Sequence, residues 1–140
     1  MGFELRDHTA DVAVAATGDT LEKTVAAFAD GLAAACAEDV PDVGDRFELA
    51  VHAESREALL FDYLDELIYL RDVRRELPVD NRVEHLDGPD DEDGTWRLEA
   101  TARGVPLEEV SAREVKAVTY SEMRLEETAE GWEGYVVLDV

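Results

Sequence analysis

Lysine is almost missing from this chain: two residues, Lys23 and Lys116, stand beside eleven arginines. These 13 basic side chains face 35 aspartates and glutamates, for a formal net charge of −22. So acidic a chain has no basic patch with which to neutralise phosphates and release their counterions, which excludes strong unaided nucleic-acid binding. Cysteine is scarcer still. The single Cys36 rules out an internal disulfide, and its neighbours Ala33, Ala34, Ala35 and Ala37 mark it as packing rather than as a nucleophile. No apolar run approaches the ~18 residues of a membrane span, and the opening Met1-Gly2-Phe3-Glu4-Leu5 does not read as a secretion signal. A soluble, cytoplasmic protein with no membrane partner is the expectation. Gly-x-Ser-x-Gly, the P-loop, the dinucleotide fingerprint and zinc-type Cys and His spacings are also absent, and His8, His52 and His85 are far apart with no nucleophile beside them. Ordinary enzyme machinery is lacking.

What is present is a globular pattern under a heavy acidic load. The acids are spread along a chain that is 46% hydrophobic, so a disordered acidic tail is excluded. Excess charge of this size is tolerated where salt screens it, which suggests a high-salt cytoplasm such as that of a halophilic archaeon. The 140 residues suit one domain, 1–140, without linker or repeat. A strand is expected over about Val12 to Thr17. A helix follows, with Asp19 as N-cap, Glu22 completing a capping box, and Leu21, Val25, Phe28, Leu32 and Ala35 on one face; Asp39-Val40-Pro41 is its stop. Phe47, Leu49 and Val51 alternate as in a half-buried strand. A second helix starts after Ser55 and carries Leu59, Leu60, Tyr63, Leu64, Leu67 and Ile68 inward, leaving Asp62, Asp65, Glu66 and Arg71 to water, with Pro78 as its end. Four strand-like segments complete the chain: Val79 to Leu86, Thr95 to Arg103, Glu114 to Leu125 and Trp132 to Val140. The acidic stretch from Asp87 to Gly94 lacks the spacing of a calcium loop and reads as a solvated turn. Helices early and strands late predict an α+β fold, two helices packed on a largely antiparallel sheet.

Two groups of residues invite a functional reading. Asp7, Asp11 and Asp139, with main-chain oxygens, offer the ligands that hard cations such as Ca²⁺ and Mg²⁺ prefer. In so acidic a chain any one Asp is more often a solvated charge, at roughly three to one on composition. Asp139 rises above that background because strand alternation sets it on the face of Val137 and Tyr135, where a buried unpaired carboxylate would be costly. His8 reads as a turn residue or as a donor behind the ligands. Lys116 has been kept where Arg is the rule, and a compact ammonium can touch a phosphate or an acidic group as a point charge; a strand-edge ion pair accounts for it equally well.

Five segments in order, His8-Thr9-Ala10-Asp11-Val12, Gly18-Asp19-Thr20-Leu21-Glu22, the run from Leu59 to Tyr69, Glu114-Val115-Lys116-Ala117-Val118-Thr119-Tyr120 and Val137-Leu138-Asp139-Val140, resemble the signature of the archease family along essentially the whole chain. The resemblance implies a non-catalytic accessory of the RtcB-type RNA ligase of tRNA splicing, one that promotes ligase guanylylation and multiple turnover and broadens its nucleotide use. It implies a divalent cation, Ca²⁺ in the family, held by Asp11, Asp139 and Val140, the last through a main-chain or terminal oxygen, with waters or ligase groups completing the shell. Lys116 and Glu66 would engage the ligase. Histidines that many relatives carry around the Glu-Val-Lys segment are replaced here by residues such as Ser111 and Ser121, so no histidine role transfers to that segment. The rival readings are a metal-dependent hydrolase using Asp11 and Asp139, and a general chaperone.

Overall fold

The computed structural model describes residues 2–8, 11–89 and 94–140, with side chains throughout except at residues 6–8. In chain order the elements are β1 (Gly2–His8), β2 (Asp11–Gly18), α1 (Leu21–Cys36), β3 (Asp45–Ala53), α2 (Arg56–Arg74), β4 (Glu76–Asp87), β5 (Trp96–Pro106), a 3₁₀ turn (Leu107–Glu109), β6 (Ala117–Thr128) and β7 (Gly131–Asp139). The fold is α+β, as expected, but its strands form two antiparallel sheets rather than one: β1-β2-β7-β6 and β3-β5-β4. Both helices touch both sheets. α1 packs on β1, β2 and β7 of the first sheet and on β4 of the second, while α2 packs on β6 and on β3, β4 and β5.

The sequence explains this placement. Helical spacing gives α1 an inward face of Leu21, Val25, Phe28, Leu32 and Ala35 and gives α2 the paired stripe Leu59, Leu60, Tyr63, Leu64, Leu67 and Ile68, and all eleven are buried. Strand alternation points Val12, Val14, Ala16, Val136 and Leu138 into the same core. Burying each large side chain contributes about 1.5–3 kcal/mol relative to leaving it in water. The β6–β7 hairpin closes tightly at Gly131, whose φ of +147° and close approach to the Gly18 carbonyl both exclude a Cβ.

Several local expectations are corrected. α1 is capped by Thr20, not Asp19: the Thr20 hydroxyl accepts from Lys23 N–H at 3.1 Å, and Asp19 sits one residue outside, 3.8 Å from the Lys23 ammonium. The helix ends at Cys36, before the Asp39-Val40-Pro41 stop. Pro78 does not end α2, which stops at Arg74 with Arg75 in the left-handed conformation, φ 58°. Pro78 lies in β4, an edge strand, where a missing N–H is tolerated. Arg71 does not face water; its guanidinium donates to Cys36 Sγ at 3.7 Å and pairs with Asp72 at 3.0 Å, so a buried charge is partnered on both sides. β1 was not expected, although Phe3 and Leu5 alternate with polar neighbours. Of the acidic stretch between β4 and β5, residues 90–93 lie outside the described residues, while Asp87 and Arg97 on its two sides are paired in register.

Candidate functional site

Strand register builds the corner where the proposed ligands would have to meet. β2 pairs with β7 so that Val12 faces Leu138 and Ala13 faces Val137, and Asp11 and Asp139 are the residues that flank the Val12–Leu138 pair at this end of the ladder. Asp11 is in turn the register partner of His8 on β1, and Asp139 that of Ala117 on β6. His8 and Asp11 on one side and Asp139 and Ala117 on the other thus lie at the same end of the first sheet. The main chain ties this end to the segment before β6, where Lys116 N–H donates to Asp139 O at 2.8 Å.

Exposure sorts these residues. Since Val12 and Leu138 point into the core, Asp11 and Asp139 occupy the outer face of the sheet; Asp11 is half-buried, Asp139 exposed and Val140 half-buried. The desolvation cost anticipated for Asp139 does not arise. Lys116 is exposed. Glu66 lies half-buried on α2, and among the described residues it forms no ion pair with Lys116. The side chains of Asp7 and His8 lie outside the described set, as do Thr9 and Ala10. The donor chemistry of the corner, carboxylate and main-chain oxygen, suits a hard cation. The described residues contain no group of three or more His, Cys, Asp or Glu that could enclose an ion.

Two further clusters escape sequence reasoning. At the α1–β4 contact, Asp30 Oδ1 accepts both from Asn81 N–H and from Asn81 Nδ2, each at 2.9 Å, while burial raises the Asp30 pKa above its ordinary value despite these bonds. The Tyr63 hydroxyl is buried nearby without a hydrogen-bond partner among the described residues, and burial with the Asp30 charge holds its proton on. The second cluster is aromatic. Tyr120 stacks on Phe61 with centroids 4.2 Å apart and planes within 4°, and Asp62 lies beside them. Burial first, then the neighbouring Asp65 charge, raise the Asp62 pKa. Phe61, one step off the buried stripe of α2, was the available signal. Cys36 is buried, and burial raises its thiol pKa although the Arg71 guanidinium opposes this, so it is no nucleophile.

Two surface concavities among the described residues lie away from this corner. One of about 400 Å³ sits on the β3-β5-β4 sheet between Glu48, His85 and Glu99. Another of about 520 Å³ lies at the opposite end of the first sheet, by Thr17, Thr128 and Trp132. No helix among the described residues is long and apolar enough to cross a membrane.

Comparison with known proteins gives a consistent result. The model of the Archease protein family matches residues 3–140. The chain is 33% identical over 146 residues to Protein archease of Methanosarcina acetivorans, spanning 99% of this chain and 95% of that one. It is 36% identical over 144 residues to Protein archease of Thermococcus gammatolerans, spanning 99% and 98%. The solution structure of protein 1598 of Methanobacterium thermoautotrophicum matches with a TM-score of 0.77 at 28% identity over 99% of both chains. A Thermotoga maritima crystal structure, described as an archease and possible chaperone, shares the fold with a TM-score of 0.64 at 21% identity, over 98% and 96% of the two chains.

Proposed function

Because the chain belongs to the Archease family, we propose that it is a non-catalytic cytoplasmic accessory of an RtcB-type RNA ligase, promoting ligase guanylylation and multiple turnover and broadening the nucleoside triphosphates the ligase accepts. The supporting observation is the end of the β2–β7 ladder, where Asp11 and Asp139 flank the Val12–Leu138 pair and Lys116 N–H bonds the Asp139 carbonyl, an oxygen-rich corner open to solvent on its Asp139 side. Asp11, Asp139 and the main-chain oxygen of Val140 would hold a divalent cation, Ca²⁺ in this reading. Such an ion supplies positive charge for phosphate groups. An incomplete protein shell suits this role, since positions not filled by the chain are left to water or to the ligase. Lys116 adds a mobile ammonium next to this corner, and Glu66 belongs to the ligase-facing surface of α2.

The test is to mix the protein with an RtcB-type ligase, GTP and metal at high KCl and to measure ligase guanylylation and turnover. Stimulation by the parent and by Glu108→Gln, an exposed acid elsewhere, with loss in Asp139→Asn, is the expected pattern. Absence of stimulation by the parent overturns the reading. Phosphatase or nuclease activity of the protein alone would favour a metal-dependent hydrolase. Suppression of aggregation of unrelated clients, unaffected by Asp139→Asn, would favour a general chaperone, the role suggested for the Thermotoga maritima relative.

A further inference from the structure

We propose that Tyr120, laid flat on Phe61 beside Asp62, is a docking plate for an arginine side chain of a partner protein, with Tyr69 and Val73 of the same helix receiving the partner's apolar groups. The identity of that partner as the ligase rests on the reading above; the plate itself does not.

The first observation is what the backbone gives up to hold Tyr120. The β6–β7 ladder runs in register through Thr119 opposite Val137, skips residues 120–123, and resumes at Arg124 opposite Tyr135. Within this bulge Glu122 adopts a left-handed φ of 57°, an unfavourable conformation for a residue with a Cβ. Bulges re-aim side chains, and this one delivers an aromatic ring onto α2 with 56% of its surface still exposed.

The second observation is the company it keeps. Among the described residues, three of the six exposed large hydrophobic side chains, Tyr69, Val73 and Tyr120, lie on this surface. At 100° per residue, Phe61, Asp65, Tyr69, Asp62 and Val73 fall within about a third of the α2 circumference, opposite the buried stripe, and Phe61 to Val73 spans roughly 18 Å. Aromatic faces alternate with carboxylates along it. A nucleobase could stack on the plate, but its phosphates would meet Asp62, Asp65 and a net charge of −22. A guanidinium satisfies both features, since it is flat, stacks on an aromatic face and forks to a carboxylate. A lysine ammonium offers no plane to stack.

The probes are a short peptide alternating Arg and Leu, the same peptide with Lys for Arg, and GMP, each titrated into the protein calorimetrically at molar KCl. The Arg peptide should bind at least tenfold more tightly than the Lys peptide or GMP, and Tyr120→Leu, which keeps apolar bulk but loses the flat face, and Asp62→Asn should each remove that preference while Tyr120→Phe keeps it. Equal binding of the two peptides, or equal binding by parent and Tyr120→Leu, overturns the plate, as does tighter binding of GMP. A parallel titration with the ligase separates the two readings. Arg preference without ligase binding retains the plate and removes the ligase as its partner, and ligase binding that survives both Tyr120→Leu and Asp62→Asn places the ligase contact elsewhere and likewise removes the ligase as the plate's partner.

Discussion

The Tyr63 hydroxyl is a donor and acceptor enclosed in the core with no partner among the described residues, so deleting it removes a desolvation penalty rather than a bond. Tyr63→Phe should leave stability unchanged or raise it by up to about 1 kcal/mol in denaturant melts; a clear loss would show that the hydroxyl is bonded. Asp30 contributes in the opposite sense to most carboxylates. Its folded pKa lies above the ordinary 3.8, chiefly through burial. Between the unfolded and the raised folded value, the folded protein keeps a proton that the unfolded chain has released. This group's contribution to stability therefore falls as pH rises through that window and stays lower above it. In Asp30→Asn the amide oxygen can still accept from Asn81, so the melting temperature of the variant relative to the parent should climb from pH 3 to pH 7; a constant difference would show that Asp30 titrates normally. Neither property was legible in the sequence. A Tyr on an apolar stripe signals burial and says nothing of where its hydroxyl ends, and an acid on a helix flank gives no hint that a strand bulge will bring Asn81 against it.

Element ends show the same division between what the sequence encodes openly and what it does not. Ser55 was readable as the cap of α2, and its hydroxyl accepts from Ala58 N–H at 3.1 Å. Ser55→Ala should cost about 1 kcal/mol. The other end was misread because Pro78 is a strong stop signal, while the residue that actually turns the chain, Arg75, carries no signature of the left-handed conformation it adopts. Arg75→Gly relieves that conformation and should stabilise by about 1 kcal/mol or less, in contrast to the loss expected from glycine inside the helix. Thermal or urea melts of the two variants check both signs. The Asp19 cap was misplaced by a single residue because Asp19 and Thr20 are both good caps, and only the path of the chain selects between them.

For the molecule as a whole, helix faces and strand alternation were enough to reach an α+β fold, since those signals are local. The division into two sheets was not, because it depends on which distant strands pair. The same holds for the candidate site: Asp11 and Asp139 could be named from the family resemblance, but their placement at one end of the β2–β7 ladder is a property of the assembled sheet. Net charge acts at this scale too. With −22 on the chain, repulsion disfavours the compact state at low ionic strength and is screened as the Debye length falls from roughly 30 Å at 0.01 M to 3 Å at 1 M. The melting temperature should rise steadily as KCl increases from tens of millimolar to molar; a salt-independent value would dissociate the acidity from salt adaptation.

The pairing of β2 with β7 also sets a clock during synthesis. β7 lies between β2 and β6 in its sheet, so a nascent chain on the ribosome can fold its helices and close β3, β4 and β5 while β2 still lacks its inner neighbour. The β2–β7 ladder forms only once residues 131–139 have been made. Chains stalled or cleaved before β7 would display an open, apolar β2 edge, so quality control could remove them before they reach a partner.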